Sequence, residues 1–353
     1  MDTKFSDRDF FIIQTAWRRL NAKQYDAAEG WRRFHGTVKS RRRKIYRYPG
    51  IAAAVLLLIT IGYWGWHKID HTEKAVAVSE ILRARGLPVL TLGNGKQVTL
   101  NPQKSETLIR QNGGTILVHD SLLSLQYLNT DQSSDHTEPI YNTLYIPQGG
   151  EYSLILADGS KVWLNSETSL RYPVNLGGNK RIVELEGEAY FEVAPDSLRP
   201  FSIRMADRVV EVLGTHFNVS HYKTDSIWHT TLVEGKVRIC RPDHQYVLIP
   251  GTQYRENIIT GESQMAKVDV RTYTSWKDGK VIFQNERLED IIRKLARWYD
   301  FEIFYANPAV KDLHFGGAIN KYNAFEVVLR YLEQTAGVRF DIRGKTVIAN
   351  LTE

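Results

Sequence analysis

The sequence predicts a membrane-anchored α+β protein, and three observations carry that prediction. The first is a charge step. The 353 residues have a net charge of +6, yet residues 1–50 alone hold 13 Lys/Arg against 5 Asp/Glu, which leaves −2 for the rest. The second is an uncharged apolar stretch, Gly50 to Trp66, directly after that basic end. The third is a change of hydrophobic period: alternating from Leu90 to about residue 268, then mixed strand and helix patterns from Trp276. A composition of 42% hydrophobic and 24% charged residues supplies cores and excludes a wholly disordered chain. The single cysteine, Cys240, excludes an internal disulfide framework and any multi-cysteine zinc site. Because the basic character belongs to one end, the body is not expected to contact nucleic acid directly.

Residues 1–47 read as a cytoplasmic helical and basic segment. Ile13, Trp17 and Leu20 recur at helical spacing, followed by Tyr25, Trp31 and Phe34, and no Pro or Gly interrupts 9–28. A lone helix buries nothing by itself, so the stripe implies a partner groove or a membrane surface. Residues 48–67 read as one transmembrane helix. Seventeen uncharged residues (50–66) rise roughly 25 Å at ~1.5 Å each, with Tyr46, Tyr48, Trp64 and Trp66 at the ends. The positive-inside rule keeps the N-terminus in the cytoplasm and exports residues 68–353. A cleaved signal peptide fits less well, because the leader is too long and Ala75-Val76-Ala77 lies beyond several charges.

Residues 68–140 read as a periplasmic spacer and first β unit. Leu90–Asn101 holds Asn94-Gly95 between two apolar runs, a hairpin signal. Leu154–Asn165 repeats it 64 residues later, with Leu90/Leu154, Gly95/Gly159, Val98/Val162 and Asn101/Asn165 coincident. Residues 141–270 read as an all-β domain. In Val183–Val193 the apolar residues alternate with Glu184, Glu186, Glu188 and Glu192, which puts those carboxylates on the solvated side rather than in an acid–base pair. Residues 276–351 read as a small domain of order β-α-β-β-α-β-β. Leu288, Ile291, Ile292 and Leu295 form one helical stripe, Asn323-x-x-Glu326 resembles a capping box before a second helix, and Gly337 stops that helix.

Chemistry-bearing motifs are sparse. H-E-x-x-H, G-x-S-x-G and Walker A sequences are missing from the chain. His216, His221 and His229 lack metal-ligand spacing, so neither metal nor cofactor is expected. Trp163 and Trp228, if exposed, would stack on sugars, which keeps a carbohydrate-binding or enzymatic periplasmic protein as the rival reading.

Ile146–Leu154, Leu156–Asn165, Val183–Val193, Val212–Val219 and Leu232–Val237 together resemble the FecR family. Trp276–Gly279, Leu295–Asp300 and Phe315–Ile319 resemble the extra C-terminal, signalling-like domain of its Bacteroidetes-type members. The resemblance implies a non-enzymatic inner-membrane anti-sigma factor or sigma regulator. Its partners would be an extracytoplasmic-function sigma factor and the signalling domain of a TonB-dependent outer-membrane receptor engaged in nutrient uptake. The sigma contact would fall on Ile13, Trp17, Leu20, Trp31 and Phe34, and the receptor contact on the C-terminal domain and its neighbouring β domain, at an exposed sheet edge. It also implies a self-cleavage bond, Gly214-Thr215, through attack of the Thr215 hydroxyl on the Gly214 carbonyl. The alternative is a bulged strand in which Gly214 permits close packing.

Overall fold

In the computed structural model the described residues are 81, 84, 86–101, 107–111, 114–119, 124–128, 139–176 and 181–352. Residues 76–353 cluster as one compact unit. The expectation of a membrane-anchored α+β fold is corrected: this part of the chain is mostly β-sheet with few helices. Among the described residues no helix is long and apolar enough to cross a membrane. The physical reason lies in helix length, since the longest runs 12 residues, from Phe325 to Ala336, about 18 Å against the roughly 30 Å of a bilayer core. The predicted cytoplasmic helix, with Ile13, Trp17, Leu20, Trp31 and Phe34, and the predicted span 48–67 lie outside the described residues.

The first nine strands are β1 (Val89–Thr91), β2 (Gln97–Thr99), β3 (Thr107–Gln111), β4 (Gly114–His119), β5 (Ser124–Leu128), β6 (Tyr141–Ile146), β7 (Tyr152–Ile155), β8 (Lys161–Leu164) and β9 (Thr168–Pro173). The next nine are β10 (Arg181–Glu192), β11 (Phe201–Met205), β12 (Arg208–Val212), β13 (His216–His221), β14 (Ile227–Glu234), β15 (Val237–Cys240), β16 (Gln245–Leu248), β17 (Thr252–Asn257) and β18 (Ser263–Lys267). They pair as two layers. The first runs β2-β1-β6-β9-β10-β11-β12-β15-β16. The second runs β3-β4-β5-β7-β8-β10-β13-β14-β17-β18. Inward side chains of both layers, among them Leu90, Leu144, Val183, Phe191, Phe217 and Trp228, meet in one core.

Strand β10 belongs to both layers, and Gly187 is the corner. Its first half pairs with β9 and β11, its second with β8 and β13. Gly187 has φ 109°, and a Cβ there would lie 2.5 Å from Thr168 Oγ1 and 2.7 Å from Thr168 Cα. Only glycine fits such a bend against a crossing strand. The repeated hairpin has one geometry in both copies. Leu92 N donates to Lys96 O and Gly95 N to Leu92 O; Leu156 N donates to Ser160 O and Gly159 N to Leu156 O. Gly95 and Gly159 both have φ 83°. The loop therefore has three residues closed by a left-handed glycine, one more than the two-residue turn that Asn94-Gly95 alone would signal.

The C-terminal module begins with a helical turn, Arg271–Thr274, and a 3₁₀ turn, Ser275–Asp278. Then follow β19 (Lys280–Arg287), α1 (Leu288–Ala296), β20 (Glu302–Tyr305), β21 (His314–Asn320), α2 (Phe325–Ala336), β22 (Val338–Arg343) and β23 (Thr346–Leu351). β19 pairs with β21, while β20 and β22 flank β23, parallel and antiparallel respectively. Leu288, Ile291, Ile292 and Leu295 are buried on α1, in a core that also takes Phe325, Val328 and Leu332 from α2. Ile81, from before the sandwich, is part of that same core. The N-cap of α2 is Ala324 and makes no side-chain capping bond, so the Asn323 capping box does not form. Gly337, at φ 59°, ends the helix.

Candidate functional site: the joint between sandwich and module

Register places two polar rows on the outer face of the second layer. One is Trp163, Tyr190, Asn218, Thr231 and Gln253; the other is Glu188, Ser220, His229 and Arg255. The C-terminal module lies over this face, which explains why Asn218, Ser220, Thr231 and Gln253 are buried despite their polarity. Trp276 donates its Nε1 proton to Asn218 Oδ1 at 3.0 Å. The Lys277 ammonium stands 5.1 Å from the Tyr190 ring centroid and 5.6 Å from that of Trp163. Trp298 Nε1 donates to Asn165 Oδ1 at 3.2 Å.

At the centre is Lys321, in the turn between β21 and α2 and 0% exposed. Its Nζ donates to Glu151 Oε2 at 2.9 Å and to Asn165 Oδ1 at 3.0 Å. The rings of Trp276 and Trp298 flank it at 5.4 and 5.0 Å. A buried ammonium is tolerated only when paired, hydrogen-bonded or set against aromatic faces, and Lys321 has all three. Its backbone is anchored in the module, where Lys321 N donates to Gly279 O and Tyr299 OH to Lys321 O. Asn165 spreads the contact further, donating Nδ2 to Glu188 Oε2 at 2.8 Å, while Asn218 Nδ2 donates to Glu188 Oε1 at 3.0 Å. Glu188 thus leaves the solvated glutamate row predicted for this strand, because the module covers the face it points from. Glu184 and Glu186 remain at the surface, paired with Arg171 and Lys223.

A second set of contacts fixes the other end of the joint. Arg297 donates Nη2 to Asp225 Oδ1 at 2.6 Å, with its guanidinium 3.7 Å above the Tyr222 ring. Burial pushes the Tyr222 phenol well above its ordinary pKa. Gly149 N donates to Arg297 O and Ala84 N to Trp298 O. Gly149, at φ 74°, has no room for a side chain, since a Cβ would lie 1.6 Å from Ala84 O. Gln148 Nε2 donates to Ala296 O at 2.7 Å.

Between these anchors a cleft of about 370 Å³ remains, lined by His229, Arg255, Tyr273, Glu286, Lys294 and Arg297 among others. Its charges face one another: Lys294 pairs with Glu286, Arg293 with Asp290 and Arg297 with Asp225. His229 packs edge-on to Tyr273 at 5.2 Å, and burial, with Lys294 and Arg255 nearby, lowers its pKa to about 3. The imidazole is therefore neutral at pH 7 beside these ion pairs.

The structure places the other candidate residues as follows. Trp228 is buried, donating Nε1 to Glu256 Oε2 at 3.0 Å. Trp163 is half-buried, edge-on to Tyr190 and facing Lys277. Neither offers the open ring that the rival, sugar-stacking reading needs. His216 lies 3.4 Å from Glu234. Among the described residues no group of three or more His, Cys, Asp or Glu is placed to hold a metal ion. Gly214 has φ 156°, and a Cβ there would meet Pro195 Cα at 2.8 Å. Thr215 is 3% exposed and its hydroxyl donates to Lys236 O at 3.0 Å, where β13 shifts register against β14. A hydroxyl proton directed to a carbonyl oxygen is compatible with the bulged-strand alternative.

The FecR protein family model matches residues 142–238, and the FecR C-terminal model matches 280–349. A candidate anti-sigma factor from Parabacteroides distasonis ATCC 8503, known from crystal structures at 1.65 and 2.50 Å resolution, is 30% identical. Each comparison has a TM-score of 0.56, covers 60% of this chain, and covers 99% and 100% of the two crystal chains. The chain belongs to the FecR family. The curated proteins contain no match. In this FecR chain one family segment lies within the sandwich and the other within the module, and the joint lies between sandwich and module. Sequence reasoning missed Lys321, Glu151 and Asn165. The one signal was Asn165 itself, a polar residue ending an apolar strand in both repeat copies.

Proposed function

We propose that this FecR-family chain regulates a sigma factor of the extracytoplasmic-function class. In this reading it takes its signal from a TonB-dependent outer-membrane receptor, through that receptor's signalling domain. The observation that carries the reading is the 30% identity to a candidate anti-sigma factor across the whole of that crystallised chain. The charge step at residue 50 supports an inner-membrane location, with the sandwich and module on the periplasmic side and the basic end toward the sigma factor. The contact assigned to the sigma factor is the stripe Ile13, Trp17, Leu20, Trp31 and Phe34, since aromatic anchors commonly dominate interface energy. The joint supports the relay: with Lys321 and Arg297 holding both halves, a partner that moves the module also strains the sandwich. Among the described residues β16, beside exposed Val247 and Ile249, and β18, with exposed Met265, each pair on one side only, and such edges suit strand addition by the receptor domain.

A transcriptional reporter tests the reading. In cells lacking this chain, a promoter served by the sigma factor should lose its response to the imported ligand, and re-expression should restore it. An unchanged response without the chain would refute the proposal.

A further inference from the structure

The edge strand β20 has a self-complementary geometry. Glu302 N donates to Lys345 O and Ala306 N to Ala349 O, so the even-numbered amides of this strand face β23. In a parallel ladder the odd-numbered residues then direct both N–H and C=O outward. Those residues are Ile303 and Tyr305, and among the described residues their backbone groups have no partner. Phe304, between them, points to the outer face and is 60% exposed. The opposite edge of the same sheet is protected: Phe340 N, on β22, donates to Glu333 Oε1 of α2 at 2.7 Å.

We propose that β20 pairs antiparallel with β20 of a second copy of this chain, about a two-fold axis at Phe304. Ile303 of one copy then exchanges two bonds with Tyr305 of the other, and the reverse pair forms two more. All four outward groups on each strand are satisfied. Phe304 meets its own symmetry mate as a non-hydrogen-bonded pair, with Cα atoms about 4.5 Å apart, the arrangement in which aromatic side chains lie closest. Glu302 opposes Ala306 of the other copy, so no like charges meet. So short a pairing buries less than the roughly 1,000 Å² of a stable interface, which makes the dimer reversible and concentration-dependent. Isologous pairing also closes the edge and ends growth at two copies.

Disulfide trapping of the full chain tests the register. In a Cys240→Ser background, Phe304→Cys should form a covalent dimer under copper–phenanthroline at least tenfold faster than Glu302→Cys. An equimolar mixture of Glu302→Cys and Ala306→Cys chains should form the mixed dimer. With the cysteines unchanged, Phe304→Lys should weaken self-association tenfold or more in sedimentation equilibrium under reducing conditions. Equal trapping at 302 and 304, no trapped dimer, or an unsubstituted chain that stays monomeric at every concentration would overturn the proposal. A strand from a different protein on this edge would leave Phe304→Cys chains unlinked, and that result also counts against it.

Discussion

Replacing Lys321 by methionine removes the charge at the centre of the joint and nearly preserves its volume. The side chain is fully buried and its ammonium holds Glu151 and Asn165 at 2.9 and 3.0 Å. Breaking a buried ion pair by deleting one partner costs about 3–5 kcal/mol. The lower end applies here, because Glu151 is 22% exposed and keeps the Tyr322 hydroxyl bond. About 3 kcal/mol is therefore expected, read by denaturant unfolding of the full chain. In a thermal scan it corresponds to roughly 6 °C or more. Glu151→Gln should cost more, since it strands the ammonium between two indole rings with a neutral partner. The double variant should be less destabilised than the sum, by about 1–3 kcal/mol of coupling. Loss of the joint should also split the unfolding of sandwich and module into two transitions. A Lys321→Met chain within about 0.5 kcal/mol of the parent, unfolding in one step, would refute the reasoning.

Acid should weaken the fold partly through His229. Its folded pKa of about 3 lies below the ordinary 6.5. The unfolded chain therefore binds the extra proton, and stability falls as pH drops from about 6.5 toward 3, by roughly 1.4 kcal/mol per pH unit. His229→Gln should flatten that slope in denaturant titrations at pH 7 and 5; an unaltered slope would contradict the burial argument. Purified chain should stay intact on long incubation, because the Thr215 hydroxyl donates to Lys236 O. Mass spectra with fragments starting at Thr215, lost in Thr215→Ala, would show the opposite. Gly187→Ala should destabilise by at least about 2 kcal/mol, since a Cβ meets Thr168 within 2.7 Å; unchanged unfolding would mean the strand crossing can yield.

What the sequence made legible was local. The stripe Leu288, Ile291, Ile292 and Leu295 forecasts its helix because burial on one face repeats every turn, and all four are buried. The twin hairpins are visible because left-handed glycines recur 64 residues apart. The break at Gly187 was visible too, but not its meaning: a strand that changes layers has the same alternation as two strands. The overall class failed on proportion, since three short α-helical elements stand against 23 strands among the described residues. The joint was illegible for a different reason. Lys321, Glu151 and Asn165 are separated by up to 170 positions, and each is of a residue type usually left in water. Only the docking of the module over a polar sheet face brings them together. The same docking complicates a simple truncation. Deleting 276–353 would expose Asn218 and Asn165, so lost signalling there could reflect a damaged sandwich, whereas Lys321→Met disturbs the joint alone.

The central claim is that this chain engages a sigma factor, and co-purification tests it most directly. Full-length chain recovered from its own cells should carry one extracytoplasmic-function sigma factor, identified by mass spectrometry. Trp17→Ala with Leu20→Ala should reduce that recovery at least tenfold, while Lys321→Met leaves it bound. Absence of any sigma factor from the parent complex, or equal recovery with the Trp17/Leu20 double variant, would contradict the account.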